Sequence, residues 1–115
     1  MLIGRRCSCT YCTAYGAVWI SDPAAILTIS ADYKNLFTLY QFGHKTADFC
    51  FCKVCGVLCF AICNLNQETF SVVNISSLEV SDSKKIQSIR TDFSTEVIEE
   101  RLVRRKAKWS PVRFI

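Results

Sequence analysis

The chain has 115 residues, of which 50% are hydrophobic and 21% are charged. This balance is typical of a single folded domain and excludes a disordered chain. The net charge of +4 arises from residues 101–115, which hold six Lys/Arg and no acidic residue, whereas the remainder holds eight basic against ten acidic residues. No stripe of basic and aromatic side chains runs along the body of the sequence, so we expect no nucleic-acid partner.

Whether the eight cysteines bind metal or form disulfides depends on the cellular compartment of the protein. Residues 1–6 carry no apolar segment or cleavage site typical of a secretory signal. The longest apolar run, residues 54–63, is shorter than the roughly 20 residues that a bilayer-spanning helix requires. We therefore expect a cytoplasmic protein without a membrane partner, in which reduced thiols bind metal rather than form disulfides.

A C-x-C-x-x-C spacing occurs twice, at Cys7, Cys9 and Cys12, and again at Cys50, Cys52 and Cys55. A C-x-x-C turn points two thiolates at one ion, and an alternate cysteine on an extended segment can reach the same ion. Three thiolates leave a fourth tetrahedral position open, as in catalytic zinc sites. A single closed ribbon remains an alternative, although its gap exceeds the usual 15–20 residues; its four ligands would be Cys9, Cys12, Cys52 and Cys55.

Apolar and β-branched patterns predict strands over residues 16–20, 26–30, 36–42, 47–51, 57–63 and 69–75, with a turn over 32–35. The nearly continuous apolar run at 57–63 predicts a core strand that is covered on both faces, in which Cys59 and Cys63 act as small buried hydrophobes. Gly56 follows the second triplet, where a positive φ is expected. His44 lies beside Gly43 and is interpreted as a solvated turn residue rather than a ligand or base.

The last part of the sequence, residues 94–115, predicts a basic helix and tail. Ser94 or Thr95 can cap a helix whose first turns are acidic and whose end is basic, an order that complements the helix dipole. Its apolar residues at helical spacing predict docking on the body or on a second subunit of a homo-oligomer. We therefore divide the chain into a β domain over 1–93 and a basic C-terminal helix and tail over 94–115.

Four short sequence motifs follow one another along the chain. Residues 7–12 are followed by Gly16-Ala17-Val18-Trp19; residues 40–47 read Tyr-Gln-Phe-Gly-His-Lys-Thr-Ala; residues 51–56 read Phe-Cys-Lys-Val-Cys-Gly; and Val73-Asn74 closes the series. Together they resemble the glutathione-dependent formaldehyde-activating (GFA) family, which includes centromere protein V. The resemblance extends from Cys7 to about Leu78.

The resemblance implies a mainly β, zinc-stapled fold of the β-tent type. In this sequence the predicted C-terminal helix follows that fold. The resemblance also implies that Cys7, Cys9 and Cys12 hold the catalytic Zn²⁺, and that Cys52 and Cys55 hold half of a structural Zn²⁺. Relatives complete the structural site with an upstream C-x-C, which is absent here because six residues precede Cys7. Either the sequence has lost an N-terminal piece, through truncation or a misplaced start, or another group such as Cys50 completes the site.

The implied function is that of a zinc-dependent carbon–sulfur lyase acting on S-hydroxymethylglutathione or a related small thiol adduct. Glutathione or another small thiol is the implied partner, and no catalytic residue is assigned beyond the zinc site at Cys7, Cys9 and Cys12. The alternative is a non-catalytic zinc-binding module with a structural or interaction role. The two functions differ in whether the bound zinc keeps an exchangeable coordination position.

Overall fold

The computed structural model describes residues 3–41, 45–77 and 87–115. This part of the chain is mainly β. Its strands are β1 Ile3–Cys7, β2 Trp19–Ile20, β3 Leu27–Ile29, β4 Phe37–Tyr40, β5 Asp48–Cys52, β6 Leu58–Leu65, β7 Glu68–Asn74, β8 Gln87–Thr91 and β9 Ser110–Phe114. Its helices are α1 Thr10–Tyr15, α2 Tyr33–Leu36 and α3 Ile98–Lys108, with a short 3₁₀ turn at Ile75–Ser77.

Seven strands lie in the order β4-β5-β6-β7-β2-β1-β8. Neighbouring strands are antiparallel except β1 and β8, which pair in parallel with Cys7 opposite Thr91. Strand β7 has two partners on one side, because its first half pairs with β9 and its second half with β2. Strand β9 also pairs in parallel with β3. The C-terminal strand therefore joins β3 to the main sheet.

Strand β6 separates two hydrophobic clusters. Phe60 and Ile62 pack into one cluster, whereas Ala61 and Cys63 pack into the other. Because successive side chains of a strand point to opposite faces, both faces of β6 are covered. This confirms the prediction of a core strand at 57–63 and explains why its sequence does not alternate between apolar and polar residues.

Most of the predicted strands are present with shifted ends. The strand predicted over 16–20 is reduced to Trp19–Ile20 because the preceding residues form α1, which ends at Gly16 in the left-handed conformation with φ of 60°. The turn predicted at 32–35 becomes the single-turn helix α2. The sequence analysis did not predict β1, β8 or β9. Residues 42–44, including His44, and the polar break at 81–85 lie outside the described residues.

The predicted C-terminal helix is confirmed, but it begins later than expected. Its N-cap is Val97, whose backbone N–H donates to the Glu100 carboxylate at 3.3 Å. The predicted caps Ser94 and Thr95 instead lie in a turn before the helix, where the Ser94 N–H donates to the Asp92 side chain at 2.9 Å. Trp109 is buried after the helix, and β9 follows. The predicted tail is thus a paired strand.

The helices can also be compared with the thickness of a membrane. Among the described residues, no helix is both long and apolar enough to cross a bilayer. The longest, α3, has 11 residues.

Candidate metal centre

The first cysteine triplet lies where a strand passes into a helix. Cys7 ends β1, Cys9 is the N-cap of α1, and Cys12 lies in the first turn of that helix. The Cys9 backbone is extended, with φ of −62° and ψ of 156°, and its Sγ accepts a hydrogen bond from the Cys12 N–H at 3.3 Å. Parallel pairing with β8, continued by the Ser8 N–H to Thr91 carbonyl bond of 2.9 Å, fixes the approach of β1.

The three Sγ atoms lie within 4.8 Å of one another. Zn–S bonds of about 2.3 Å in a tetrahedron place sulfur atoms about 3.8 Å apart, so a small contraction would let all three sulfurs bind one ion. Thiolates are soft donors that favour zinc and other soft metals over magnesium or calcium. The cluster therefore fits a metal ion in both geometry and donor type, as the sequence predicted.

Within the metal-free cluster the thiols are electrostatically unequal. A hydrogen bond from Cys12 lowers the pKa of Cys7 from 9.0 to about 5, and the Cys9 N–H and the charge of Arg104 act in the same direction against the effect of burial. The same hydrogen bond, together with burial, raises the pKa of Cys12. Cys7 is thus a thiolate at neutral pH that accepts a hydrogen bond from the Cys12 thiol.

A cavity of about 300 Å³ adjoins the cysteines. The segment before β5, the turn after β8 and helix α3 form its other walls, through Thr46, Ala47, Phe49, Asp92, Phe93, Ser94, Arg101, Arg104 and Arg105. A smaller apolar cavity of about 80 Å³ shares part of this lining, namely Cys7, Cys12, Phe49, Phe93, Arg104 and Arg105. The cysteine cluster therefore opens onto this cavity, which lies between the cluster and α3.

Three arginines of α3 face this cavity, and two of them are paired. The Glu96 carboxylate accepts hydrogen bonds from Arg104 at 2.8 and 3.0 Å and from Arg101 at 3.1 Å. The Arg104 guanidinium also lies 3.7 Å from the centre of the Phe93 ring. Arg101 and Arg104 are thus held as one group with Glu96, which stands in the turn before the helix.

Arg105 is placed differently, because it is buried with an exposed fraction of 7%. Its Nη1 donates to Thr46 Oγ1 at 2.6 Å and to Cys63 Sγ at 3.7 Å, and its guanidinium lies 4.8 Å from the Trp109 ring centre. The sequence analysis assigned no role at the site to these arginines. A signal was available, because spacings of three and four residues place side chains on one face of a helix.

The second cysteine triplet does not converge in the same way. Cys50 is fully buried in the hydrophobic cluster with Phe60, and burial raises its pKa to about 12. Cys52 is half-buried at the end of β5, and Cys55 is exposed. Across the described residues, no group of three metal-capable side chains includes Cys52 or Cys55, so the closed ribbon with Cys9 and Cys12 is not formed.

The turn between Cys52 and Cys55 nevertheless has a defined structure. The Cys52 carbonyl accepts from the Gly56 N–H at 2.9 Å, and N–H groups of Cys55 and Val54 lower the pKa of Cys52. Gly56 has a φ of 77°, which confirms the predicted positive φ. These two thiols remain a predicted metal pair.

The other two cysteines lie on β6. Cys63 is buried, as predicted for a small hydrophobe. Cys59 is only half-buried, and its Sγ donates to the Val57 carbonyl at 3.3 Å.

No family model matches this sequence, and no curated protein matches it. The chain is similar to the crystal structure of a Rhodobacter sphaeroides protein solved as a structural genomics target. The two share 27% sequence identity and a TM-score of 0.50, and the match covers 75% of this chain and 80% of that chain. This likeness supports a shared fold and carries no statement about activity.

Proposed function

We propose that the chain is a zinc-dependent carbon–sulfur lyase-like protein of the GFA family that acts on S-hydroxymethylglutathione or a related adduct of a small thiol. The observation that carries this proposal is the convergence of the Cys7, Cys9 and Cys12 sulfurs at a cavity wall. In the described part of the chain, no fourth His, Cys, Asp or Glu ligand atom joins the group. An ion held there would retain a position for a ligand from solution.

Cys7, Cys9 and Cys12 would hold Zn²⁺. When bound, zinc would lower the pKa of the thiol or hydroxyl that occupies its fourth position. The cleavage of a hydroxymethyl thioether into thiol and formaldehyde removes a proton from the adduct hydroxyl and leaves the electron pair of the C–S bond on sulfur. The residues of the cavity must therefore orient the hydroxyl and limit access of bulk water.

The cavity lining supports these two tasks. Phe49 and Phe93 present aromatic surface beside the cysteines, which limits competing water. Asp92 lines the same cavity, and hydrogen bonds from the Ser94 N–H and hydroxyl lower the pKa of its carboxyl. A carboxylate of low pKa is a weak base, so Asp92 would orient the adduct hydroxyl as a hydrogen-bond acceptor rather than remove its proton.

One observation favours the alternative, a non-catalytic zinc-binding module. Asp92 is an exposed oxygen donor on the wall of the cysteine cavity, and the alternative requires it to occupy the fourth coordination position of the ion. A carboxylate in that position would close the site, as in structural zinc centres. The two functions are therefore separated by ligand exchange at the metal.

The test uses the cobalt-substituted protein, in which sulfur-to-cobalt charge-transfer absorption reports the coordination of the ion. We expect glutathione to change this absorption in a saturable manner in the wild type and in the control Cys59→Ser. We expect Cys12→Ser to remove the response. An absorption spectrum that ignores millimolar glutathione in the wild type would reject the exchangeable position and support the closed module.

The reaction itself is tested with the zinc protein. Exchange spectroscopy on a mixture of glutathione and formaldehyde should show faster interconversion of glutathione and S-hydroxymethylglutathione than in the protein-free mixture. Cys12→Ser should return the exchange to the uncatalysed rate, whereas Cys59→Ser should not. Saturable glutathione binding without any acceleration would reject the lyase activity and leave a thiol-binding protein.

A further inference from the structure

Arg105 is a buried cation that pairs with no carboxylate of the described residues. Its residue exposure is 7%, and no Asp or Glu of the described residues lies within ion-pair distance of its guanidinium. Its two hydrogen-bond acceptors are the neutral hydroxyl of Thr46 and the sulfur of Cys63, and its Nε has no acceptor within the described ranges. A buried charge is costly unless it is paired, so an anion that reached this guanidinium would be bound favourably.

The neighbouring charges increase this cost. Burial lowers the pKa of Arg105, contact with the Cys63 sulfur partly offsets this effect, and the positive charges of Arg104 and Arg101 lower the pKa further. Arg5, on the wall of the smaller cavity, is affected in the same way by burial and by Arg104. Four guanidinium groups thus line the two cavities. The single Glu96 carboxylate pairs with both Arg101 and Arg104, and Asp92 is the single carboxylate lining the larger cavity among the described residues, so the cations outnumber the carboxylates.

We propose that Arg105, together with the Thr46 hydroxyl, binds a carboxylate group of a small ligand in the cavity beside the cysteine cluster. The planar guanidinium matches a carboxylate with two parallel hydrogen bonds, and its buried Nε–H has no acceptor among the described residues. The Thr46 hydroxyl accepts from Arg105, so its own hydrogen can be donated to the same anion. The excess of cations over carboxylates in the lining favours an anionic ligand, and competition between propionate and inorganic phosphate separates the two classes of anion.

The position of Arg105 also limits the class of ligand. Both cavities are lined by Cys7 and Cys12 at one side and by Arg105 at another, so one small molecule can contact the cysteine cluster and the guanidinium together. If the thiol end binds at the metal, which rests on the proposed function, the ligand is a short thiol that also carries a carboxylate. The carboxylate contact itself does not depend on the metal.

Arg105 does not serve as the counter-ion of the cysteine thiolates. The cation whose charge lowers the pKa of Cys7 is Arg104, whereas the sulfur in contact with Arg105 is that of Cys63 on β6. A purely structural role, through stacking on Trp109, predicts no ligand preference for acidic groups. The experiment therefore measures that preference.

The first measurement compares three probes on the cobalt protein at low ionic strength: 3-mercaptopropionate, 2-mercaptoethanol and propionate. We expect 3-mercaptopropionate to bind about tenfold more tightly than 2-mercaptoethanol, because a hydrogen-bonded charge pair is added. Arg105→Gln should bring the ratio of the two dissociation constants close to one while leaving that of 2-mercaptoethanol unchanged. Arg105→Lys should retain part of the preference, and Arg113→Gln, which changes an exposed arginine of β9, should retain all of it.

The second measurement needs no metal. In the metal-free wild type, propionate should shift the NMR signal of the Arg105 Nε–H, and a variant, Arg105→Lys, serves only to assign that signal. If neither thiol alters the cobalt spectrum but propionate shifts this signal, the proposed function fails and the carboxylate site stands. Equal affinity for the two thiols in the wild type, or an unmoved Nε–H signal, would overturn the carboxylate site even if Arg105→Gln does not fold. Stronger displacement of 3-mercaptopropionate by inorganic phosphate than by propionate would overturn the assignment to a carboxylate.

Discussion

Two segments with the same C-x-C-x-x-C spacing have different structures in this protein. In the first, the chain leaves β1 at Cys7 and enters α1 after Cys9, which brings the three sulfurs within 4.8 Å. In the second, Cys50 and Cys52 both belong to β5, and the chain then turns at Gly56 into β6. Equivalent cysteines therefore have different neighbours.

The difference is greatest between Cys7 and Cys50, the first members of the two triplets. Cys7 is half-buried beside a cavity, whereas Cys50 is fully buried and its pKa is raised to about 12. A pairing irregularity between Cys50 and Phe51 further separates Cys50 from the turn. The comparison teaches that cysteine spacing limits which residues can share an ion, whereas the backbone conformation between them decides which residues do.

The largest effect is expected on zinc affinity when replacements of the equivalent residues Cys7 and Cys50 are compared. Cys7→Ser removes a sulfur from the converged cluster, so we expect apparent zinc affinity at the first site to fall at least about 100-fold. Cys50→Ser changes a core side chain and should leave that affinity unchanged, although it lowers stability. Competition with a chromophoric chelator measures the affinity. Equal losses in the two variants would show that the triplets contribute to one shared site.

The next effect concerns thiol reactivity in the metal-free protein. At pH 6 the Cys7 thiol, with a pKa of about 5, is mostly thiolate, whereas a thiol of pKa 9.0 is about 0.1% thiolate. Lower nucleophilicity of the weaker base offsets much of this advantage, so we expect iodoacetamide to modify Cys7 about tenfold faster in the folded than in the denatured chain.

The control for reactivity is again Cys50, which should be protected at pH 6 because burial raises its pKa. Mass-spectrometric mapping of the modified cysteines over pH 4 to 9 provides the measurement. The Cys7 rate should fall only below about pH 5, since its thiolate persists down to that value. A Cys7 rate that instead rises tenfold per pH unit between 6 and 8 would contradict the inferred hydrogen bond from Cys12.

Several features of the fold were predictable because they depend on local sequence. The apolar run at 57–63 indicated β6, and the first triplet indicated a metal-capable cluster. Gly56 indicated a positive φ through its place after a C-x-x-C turn. In each case, the signal lies within about ten residues and reflects either side-chain periodicity or a backbone constraint.

The remaining features depend on contacts between distant segments. Strand β9 pairs with β3 and β7, and β8 pairs with β1 across more than 80 residues, so neither strand carries a strong pattern of its own. The burial of Arg105 could not be predicted from the helical pattern, because it depends on contact with Thr46, which is distant in sequence, as well as with Trp109 at the end of α3. The basic charge of α3 thus lies partly inside the protein, at the candidate site.

The smallest expected effect compares the glycines that follow the two triplets. Gly16 ends α1 with φ of 60°, and Gly56 follows Cys55 with φ of 77°. A Cβ at either position would meet no atom within 4 Å, so alanine carries only the cost of the left-handed backbone. We expect Gly16→Ala and Gly56→Ala each to lower the free energy of unfolding by about 1 kcal/mol, and Gly16→Asn by less, because asparagine tolerates this conformation. Urea denaturation of the metal-free proteins measures these differences. Zinc affinity at Cys7, Cys9 and Cys12 should not change in Gly16→Ala, because Gly16 bonds the Cys12 carbonyl through its backbone N–H, which alanine retains. A tenfold loss of zinc affinity in that variant, but not in Gly56→Ala, would show that the end of α1, and not only its first turn, sets the position of the ligands.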